Sequence, residues 1–256
     1  MTTGPRWKGS LMTVRARPER NVASAGFPIG ILALNSRHRL VVGNVQHAGS
    51  FPFPVLYEIV SDVSALALMR GDPEAFDPIV RGAMKLEAAG VSAIVGACGS
   101  FAHYQLEVAN AVQIPTFLSI LLEVPMLLRA LPAAQQLGII FATTASFTER
   151  VRQQCGIEAD HRIVGIGADA VPAFQPILSQ EGVLDDVALR EGIVSLACAT
   201  VRAHPKIGAW LLQCSDLPPY ADAIWKATDR PVFDMVKLIH HVHGALCGAP
   251  PPQWIA

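Results

Sequence analysis

At 256 residues the chain is long enough for one large domain or two small ones. Hydrophobic residues make up 51% of it and charged residues 16%, enough apolar material for buried sheets, while 20 basic against 21 acidic side chains leave a formal charge of −1 and no broad basic footprint for a nucleic acid. No apolar stretch is long enough for a membrane span.

Residues 1–26 carry Arg6, Lys8, Arg15, Arg17 and Arg20 without a long apolar run or a small-residue cleavage site, and read as a loosely docked arm rather than a secretory leader. Residues 27–35 are continuously apolar, as in a parallel strand covered on both faces, and 55–60 form a second strand. Asp72-Pro73 has the chemistry of a helix start, with Asp as cap and Pro at the first position; that helix is expected to run to Ala89 and end at Gly90. A short strand over 91–98, a helix over 101–112 and a strand over 115–119 follow. The cycle restarts with a strand at 136–143, and Ser146-Phe-Thr-Glu149 matches a capping box for the next helix. Beyond it come a strand at 162–167, a helix over 183–201, a strand at 207–214, a helix around 222–226, a strand at 231–233 and a closing helix over 235–246. Alternating strands and helices indicate α/β layers.

The five cysteines (98, 155, 198, 214 and 247) are widely spaced and contain no C-x-x-C pair, which argues against a structural zinc site and fits reduced thiols in the cytoplasm. An internal repeat singles out two of them. Ala93-Ile-Val-Gly-Ala-Cys98 and Ala209-Trp-Leu-Leu-Gln-Cys214 each end an apolar strand in cysteine. Tyr104 and Tyr220 each follow six positions later, and Pro115 and Pro231 seventeen positions later, so all three pairs are offset by 116. Gly30-Ile-Leu-Ala-Leu-Asn35 and Gly138-Ile-Ile-Phe-Ala-Thr143 match at an offset of 108, which places eight extra positions in the second half, attributed to a surface-loop insertion. The repeat implies two similar lobes, each a parallel sheet flanked by helices, with a cleft between them. Each lobe presents one thiol from a strand's carboxyl end, where ligands bind in open parallel sheets. Residues 99–101 and 215–217 then offer free backbone N–H groups able to hold a carboxylate or stabilise a thiolate.

Gly96-Ala-Cys-Gly-Ser-Phe101 and Leu211-Leu-Gln-Cys-Ser-Asp216, with their flanking elements, resemble the aspartate/glutamate racemase superfamily, which includes hydantoin racemases, arylmalonate decarboxylases and maleate cis–trans isomerases. The resemblance implies two lobes related by pseudo-twofold symmetry. The first comprises residues 27–121 with 234–256 and the second 122–233, the chain crossing back from Asp234 onward. It also implies that Cys98 and Cys214 flank the reacting carbon, one thiolate removing a proton and the other thiol returning one on the opposite face. The chain departs from the racemase pattern in three places. Asn35-Ser36 stands where an acidic residue and Ser are common, Gly99-Ser100 where Asn-Thr follows the first cysteine, and Ser215-Asp216 where Thr precedes His or Glu. Asp216 is the acidic helper expected beside Cys214, and the activation of Cys98 is left open.

The implied chemistry is removal of a proton from carbon next to a carboxylate or carbonyl, with no pyridoxal phosphate, nicotinamide or metal. A thiol's pKa lies near enough to neutrality to serve, and helix-end N–H groups suit an enolate-like intermediate. Asn35, Ser36, Gly99, Ser100, Thr143, Thr144 and Ser215 are the expected substrate contacts. His240, His241 and His243 lack the acidic or cysteine partners a metal site needs, and Gly165-Ile-Gly167 lacks the rest of a dinucleotide fingerprint. The leading expectation is a cytoplasmic racemase or epimerase of an amino acid or related carboxylate, in a possible homodimer. Its alternatives are a maleate-type isomerase, an arylmalonate-type decarboxylase and a non-catalytic carboxylate-binding protein.

Overall fold

The computed structural model describes residues 28–159 and 162–247, so the expected N-terminal arm lies outside the described residues. Eight strands form two four-stranded parallel sheets. The first contains β1 (Ile29–Ala33), β2 (Val55–Ile59), β3 (Ala93–Gly96) and β4 (Thr116–Phe117) in the order β2-β1-β3-β4. The second contains β5 (Gln136–Phe141), β6 (Ile163–Gly167), β7 (Ile207–Leu212) and β8 (Val232–Asp234) in the order β6-β5-β7-β8. The orders are the same once four is subtracted from the second, so the repeat read from the sequence is a repeat of topology.

The inner strands are buried on both faces, and their alternation divides the core into three. Ile29, Ile31 and Val95 of the first sheet and Leu137, Ile139 and Leu211 of the second share one cluster between the sheets. Helices α4 (Val124–Ala130) and α9 (Met235–Cys247) complete it with Val124, Leu127, Leu238, Ile239 and Val242. The outer face of the first sheet, including Leu32 and Ile94, packs on Ile79, Ala83 and Leu86 of α2 (Phe76–Ala88). On the second sheet Ile140, Trp210 and Leu212 pack on Leu189, Ile193 and Ala197 of α7 (Asp186–Ala203) and on Ile224 of α8 (Ala221–Thr228). Each such aliphatic side chain contributes about 1.5–3 kcal/mol by leaving water. Trp210 lies across Gly138 of the neighbouring strand, where a Cβ would stand 2.5 Å from the indole ring.

Three helices were not anticipated: α1 (Ala65–Arg70), α4 and α6 (Gln175–Ser179); α3 (Gln105–Ala111) and α5 (Glu149–Gln154) were. The expected capping box at Ser146 is also corrected. Thr148 caps α5 by accepting from Val151 N–H, and Ser146 Oγ donates to Thr143 O instead. The eight extra positions fall in one place. β5 ends 108 positions after β1 (141 against 33) and β6 108 after β2 (167 against 59), but β7 ends 116 after β3 (212 against 96). The additional residues therefore enter the β6–β7 connection, which holds α6, the largely exposed stretch 180–185 and the 18-residue α7.

At the C-terminal end, Asp234 is buried, caps α9 by accepting from Lys237 N–H, and pairs with Lys237 Nζ. His243 stacks on Phe53 with ring centroids 3.6 Å apart and His240 meets the same ring edge-on at 5.3 Å, so this pair of histidines packs against aromatic surface. Among the described residues no group of three or more His, Cys, Asp or Glu is placed to hold a metal ion, and no helix is long and apolar enough to cross a membrane.

Candidate active site

A cavity of about 440 Å³ opens where the carboxyl ends of the two sheets face one another. The first lobe supplies residues 34–38, Gln46, residues 61–65, Met69, Ala97 and Cys98; the second supplies Ala142, Ile177, Leu178, Gln180 and residues 214–216. The volume suits a small organic molecule, and the walls mix aliphatic side chains with polar and charged ones, among them Arg37, His38, Asp62 and Asp216.

Both cysteines sit two residues beyond an inner strand, Cys98 after β3 and Cys214 after β7. Cys98 is extended and precedes the 3₁₀ turn Gly99–Tyr104; Phe101 N–H donates to its carbonyl at 3.0 Å. Burial, and to a smaller extent the charge of Asp216, pushes its thiol up to about 11, opposed by hydrogen bonds from the backbone and side chain of Ser100. Cys214 is raised well above the ordinary thiol range by burial and then by the charge of Asp216, opposed by a hydrogen bond from the Asp216 backbone, and a charge on Cys98 would raise it further. Its Sγ lies 3.6 Å from Asp216 Oδ2, an S–H···O contact.

Asp216 is held from the other lobe. Its Oδ1 accepts from Asn44 Nδ2 at 2.6 Å and from His38 Nε2 at 2.8 Å. Asn44 is itself oriented, because its Oδ1 accepts from Gln46 N–H at 2.7 Å and so turns the amide nitrogen toward Asp216. Burial works against a charge on His38, but the hydrogen bond and charge of Asp216 outweigh it and leave the imidazole above its ordinary value; the Gln180 amide would add to this only with its oxygen toward the ring, whereas its nitrogen stands 3.3 Å from Nδ1. The irregular segment 34–50 thus leaves the first sheet, crosses the cleft and ties down the acidic group of the second lobe; Val45 N–H also reaches Ser215 O at 3.4 Å.

The structure gathers Asn35, Ser36, Cys98, Cys214, Ser215 and Asp216 on the cavity wall. Four other expected residues lie outside the lining. Ser100 is buried behind Cys98 and acts on its sulfur. Gly99 packs on Gln213, where a Cβ would stand 2.3 Å from both the side chain and the carbonyl, so its bare backbone lets the two strand ends approach. Thr143 caps the short turn Thr144–Ser146 through Ala145 N–H, and Ala142 is the residue of that strand end that reaches the cavity. His38, Asn44 and Gln180 were not found from the sequence. His38 is 178 positions from Asp216, and a single histidine in a polar loop carries no spacing signal.

Solved structures with this arrangement of sheets include an aspartate racemase homologue from Pyrococcus horikoshii (TM-score 0.51, 18% identity, 84% of this chain and 99% of that one). Unliganded arylmalonate decarboxylase is similar too, with TM-score 0.54, 17% identity, and 88% and 96% of the two chains covered. The chain has the fold of the aspartate/glutamate racemase superfamily. No protein-family model matches it. In sequence it is similar to dimethylsulfoniopropionate lyases 5 and 3 of Emiliania huxleyi, at 30% and 29% identity over 230 and 232 residues, or 85% and 87% of this chain. It spans only 45% and 60% of the length of those two relatives. Within the racemase-type fold, the cleft therefore combines a thiol beside hydrogen-bond donors with a thiol beside a carboxylate.

Proposed function

We propose that the chain ionises a carbon acid. Cys98 removes a proton from the carbon next to the carboxylate of a small substrate, Cys214 faces the same carbon as a thiol, and no cofactor takes part. The observation that carries this reading is geometric: Cys98 and Cys214 line one cavity from the two lobes, Cys98 with two hydrogen bonds from Ser100 and Cys214 with the Asp216 carboxylate 3.6 Å from its sulfur. Asn35, Ser36 and Ser215 are the groups proposed to receive the substrate's polar ends.

Two fates of the carbanion follow. Return of a proton from Cys214 on the opposite face gives racemisation or epimerisation, which the two-thiol cleft favours. Departure of a group from the neighbouring carbon gives elimination, which the similarity to dimethylsulfoniopropionate lyases favours. In the second fate the electron pair left by the proton forms a C=C bond, and the C–S bond to the sulfonium breaks with loss of a neutral sulfide. That step needs a base but no acid. The sequence likeness is the better guide to substrate, because 29–30% identity outweighs the 17–18% shared with the structures, so dimethylsulfoniopropionate heads the panel.

The test is NMR in D₂O with dimethylsulfoniopropionate, amino acids, hydantoins, arylmalonates and maleate. Sulfide release, deuterium at the α-carbon with inversion, carbon dioxide loss or cis–trans conversion each identifies one fate. Binding of panel members without any C–H, C–S or C–C bond breaking sinks the carbon-acid reading in favour of a binding protein.

A further inference from the structure

One side chain bridges the cleft without belonging to the thiol pair. Gln180 ends α6 in the left-handed region at φ 59°, which residues other than glycine rarely adopt. Its amide makes three contacts. Oε1 accepts from Arg37 N–H at 2.9 Å, Nε2 donates to Ile177 O at 2.6 Å, and Nε2 lies 3.3 Å from His38 Nδ1. Exchanging the amide's oxygen and nitrogen would set oxygen against the Ile177 carbonyl and NH₂ against the Arg37 N–H, so one orientation satisfies the set. In that orientation a donor faces Nδ1, which must offer its lone pair. The proton of the neutral ring then sits on Nε2, 2.8 Å from Asp216 Oδ1.

We propose that Gln180 is a positioning residue that holds His38 as the neutral Nε2–H tautomer, so that protonation of His38 competes with closure of the α6 end over the cleft. A proton on Nδ1 points an N–H at the Gln180 NH₂ group, and two donors cannot share that contact. Either the ring stays neutral, or Gln180 withdraws and releases the Arg37 N–H that ties the second lobe to the first. The charge that draws a proton to His38 is that of Asp216, from the loop after β7; Asn44 and Gln180 are uncharged, and the neighbouring Arg37 on the same segment is exposed. The consequence for Cys214 rests on the function proposed above, whereas the latch does not. Neutral His38 leaves Asp216 its full charge and Cys214 its proton, and an imidazolium offsets that charge.

The experiment is a pH titration of the histidine-¹⁵N-labelled full chain by long-range NMR, without substrate, with His38 assigned through His38→Gln. Gln180→Met and Gln180→Glu keep the side chain's length while removing the facing donor or replacing it with an acceptor. Gln180→Met is expected to move the protonation midpoint of His38 up by about one pH unit, tenfold in proton affinity. Gln180→Glu is expected to move it further in the same direction. A midpoint in Gln180→Met equal to or below that of the wild type overturns the latch. If both shifts occur while no panel substrate turns over on the wild type, the latch stands and the carbon-acid reading falls. If turnover occurs without the shifts, the reverse holds.

Discussion

Cys98 and Cys214 occupy the same place in two copies of one plan, two residues past an inner strand and ahead of a short turn. Burial and the charge of Asp216 raise both thiols and each takes a backbone hydrogen bond from the residue two positions on, so the difference lies in the side chain at that position. The first lobe turns the N–H and hydroxyl of Ser100 toward its sulfur; the second turns a carboxylate toward its own and anchors that carboxylate from across the cleft with His38 and Asn44. Repetition supplied two thiols facing one cavity, and the short segments after each thiol give the two different neighbours, which under the proposed function makes Cys98 the base and Cys214 the acid. A symmetric environment would give two equivalent groups, suited to abstraction from either face. Under the proposed function the observed one gives a working direction, with the proton leaving toward Cys98.

That comparison is sharpened most by removing the thiols in turn. Cys98→Ser is expected to lower substrate deprotonation by on the order of 10³-fold, within the usual range for loss of a general base, and by more than Cys214→Ser does. Single-turnover exchange rates measure both, and equal losses would contradict the asymmetry. A second change attacks the approach of the lobes. Gly99→Ala places a methyl group against the Gln213 carbonyl, where backbone has to move, and is expected to cost about 1–3 kcal/mol in denaturant unfolding. Stability within 0.5 kcal/mol of the wild type, a threshold of roughly the size of a neutral surface change, would show that the strand ends have slack.

Smaller effects test the environments themselves. Asp216→Asn removes the charge that, after burial, does most to raise the Cys214 thiol, so alkylation of Cys214 by iodoacetamide at fixed pH is expected to rise roughly tenfold, read by peptide mass spectrometry. Ser100→Ala removes one donor to Cys98 and is expected to slow its alkylation several-fold, about the worth of a single hydrogen bond, leaving Cys214 unchanged. Opposite directions from the two substitutions are the signature of the comparison; a shared direction would refute it.

The sequence carried the fold further than the site. Buried parallel strands leave continuous apolar runs, and all eight were located from them, along with the repeat that picks out Cys98 and Cys214. Caps were less legible: Ser146 and Thr148 both have the right chemistry, and only the course of the chain decides between them. The irregular segment 34–50 left no periodic trace, because its structure is set by side chains such as Asn44 and Gln46 bonding to backbone rather than by a buried stripe. For the same reason His38 could not be joined to Asp216 from the sequence. Gly99 was expected at a substrate and instead faces Gln213, since a glycine near a functional cysteine serves a ligand or a close backbone contact equally well.

The most direct test of Cys98 as the base is the pH dependence of α-carbon chemistry on a turnover substrate, wild type beside Cys98→Ser. With its thiol pushed up to about 11, Cys98 in the free protein is thiolate only to roughly 1 part in 10⁴ at pH 7, and a group active when deprotonated gains about tenfold per pH unit below its pKa. The expected result is a kcat/KM for deuterium incorporation or sulfide release that climbs at that slope from neutral toward alkaline pH and is lost in Cys98→Ser. A flat profile, or an unchanged rate in Cys98→Ser, would contradict it.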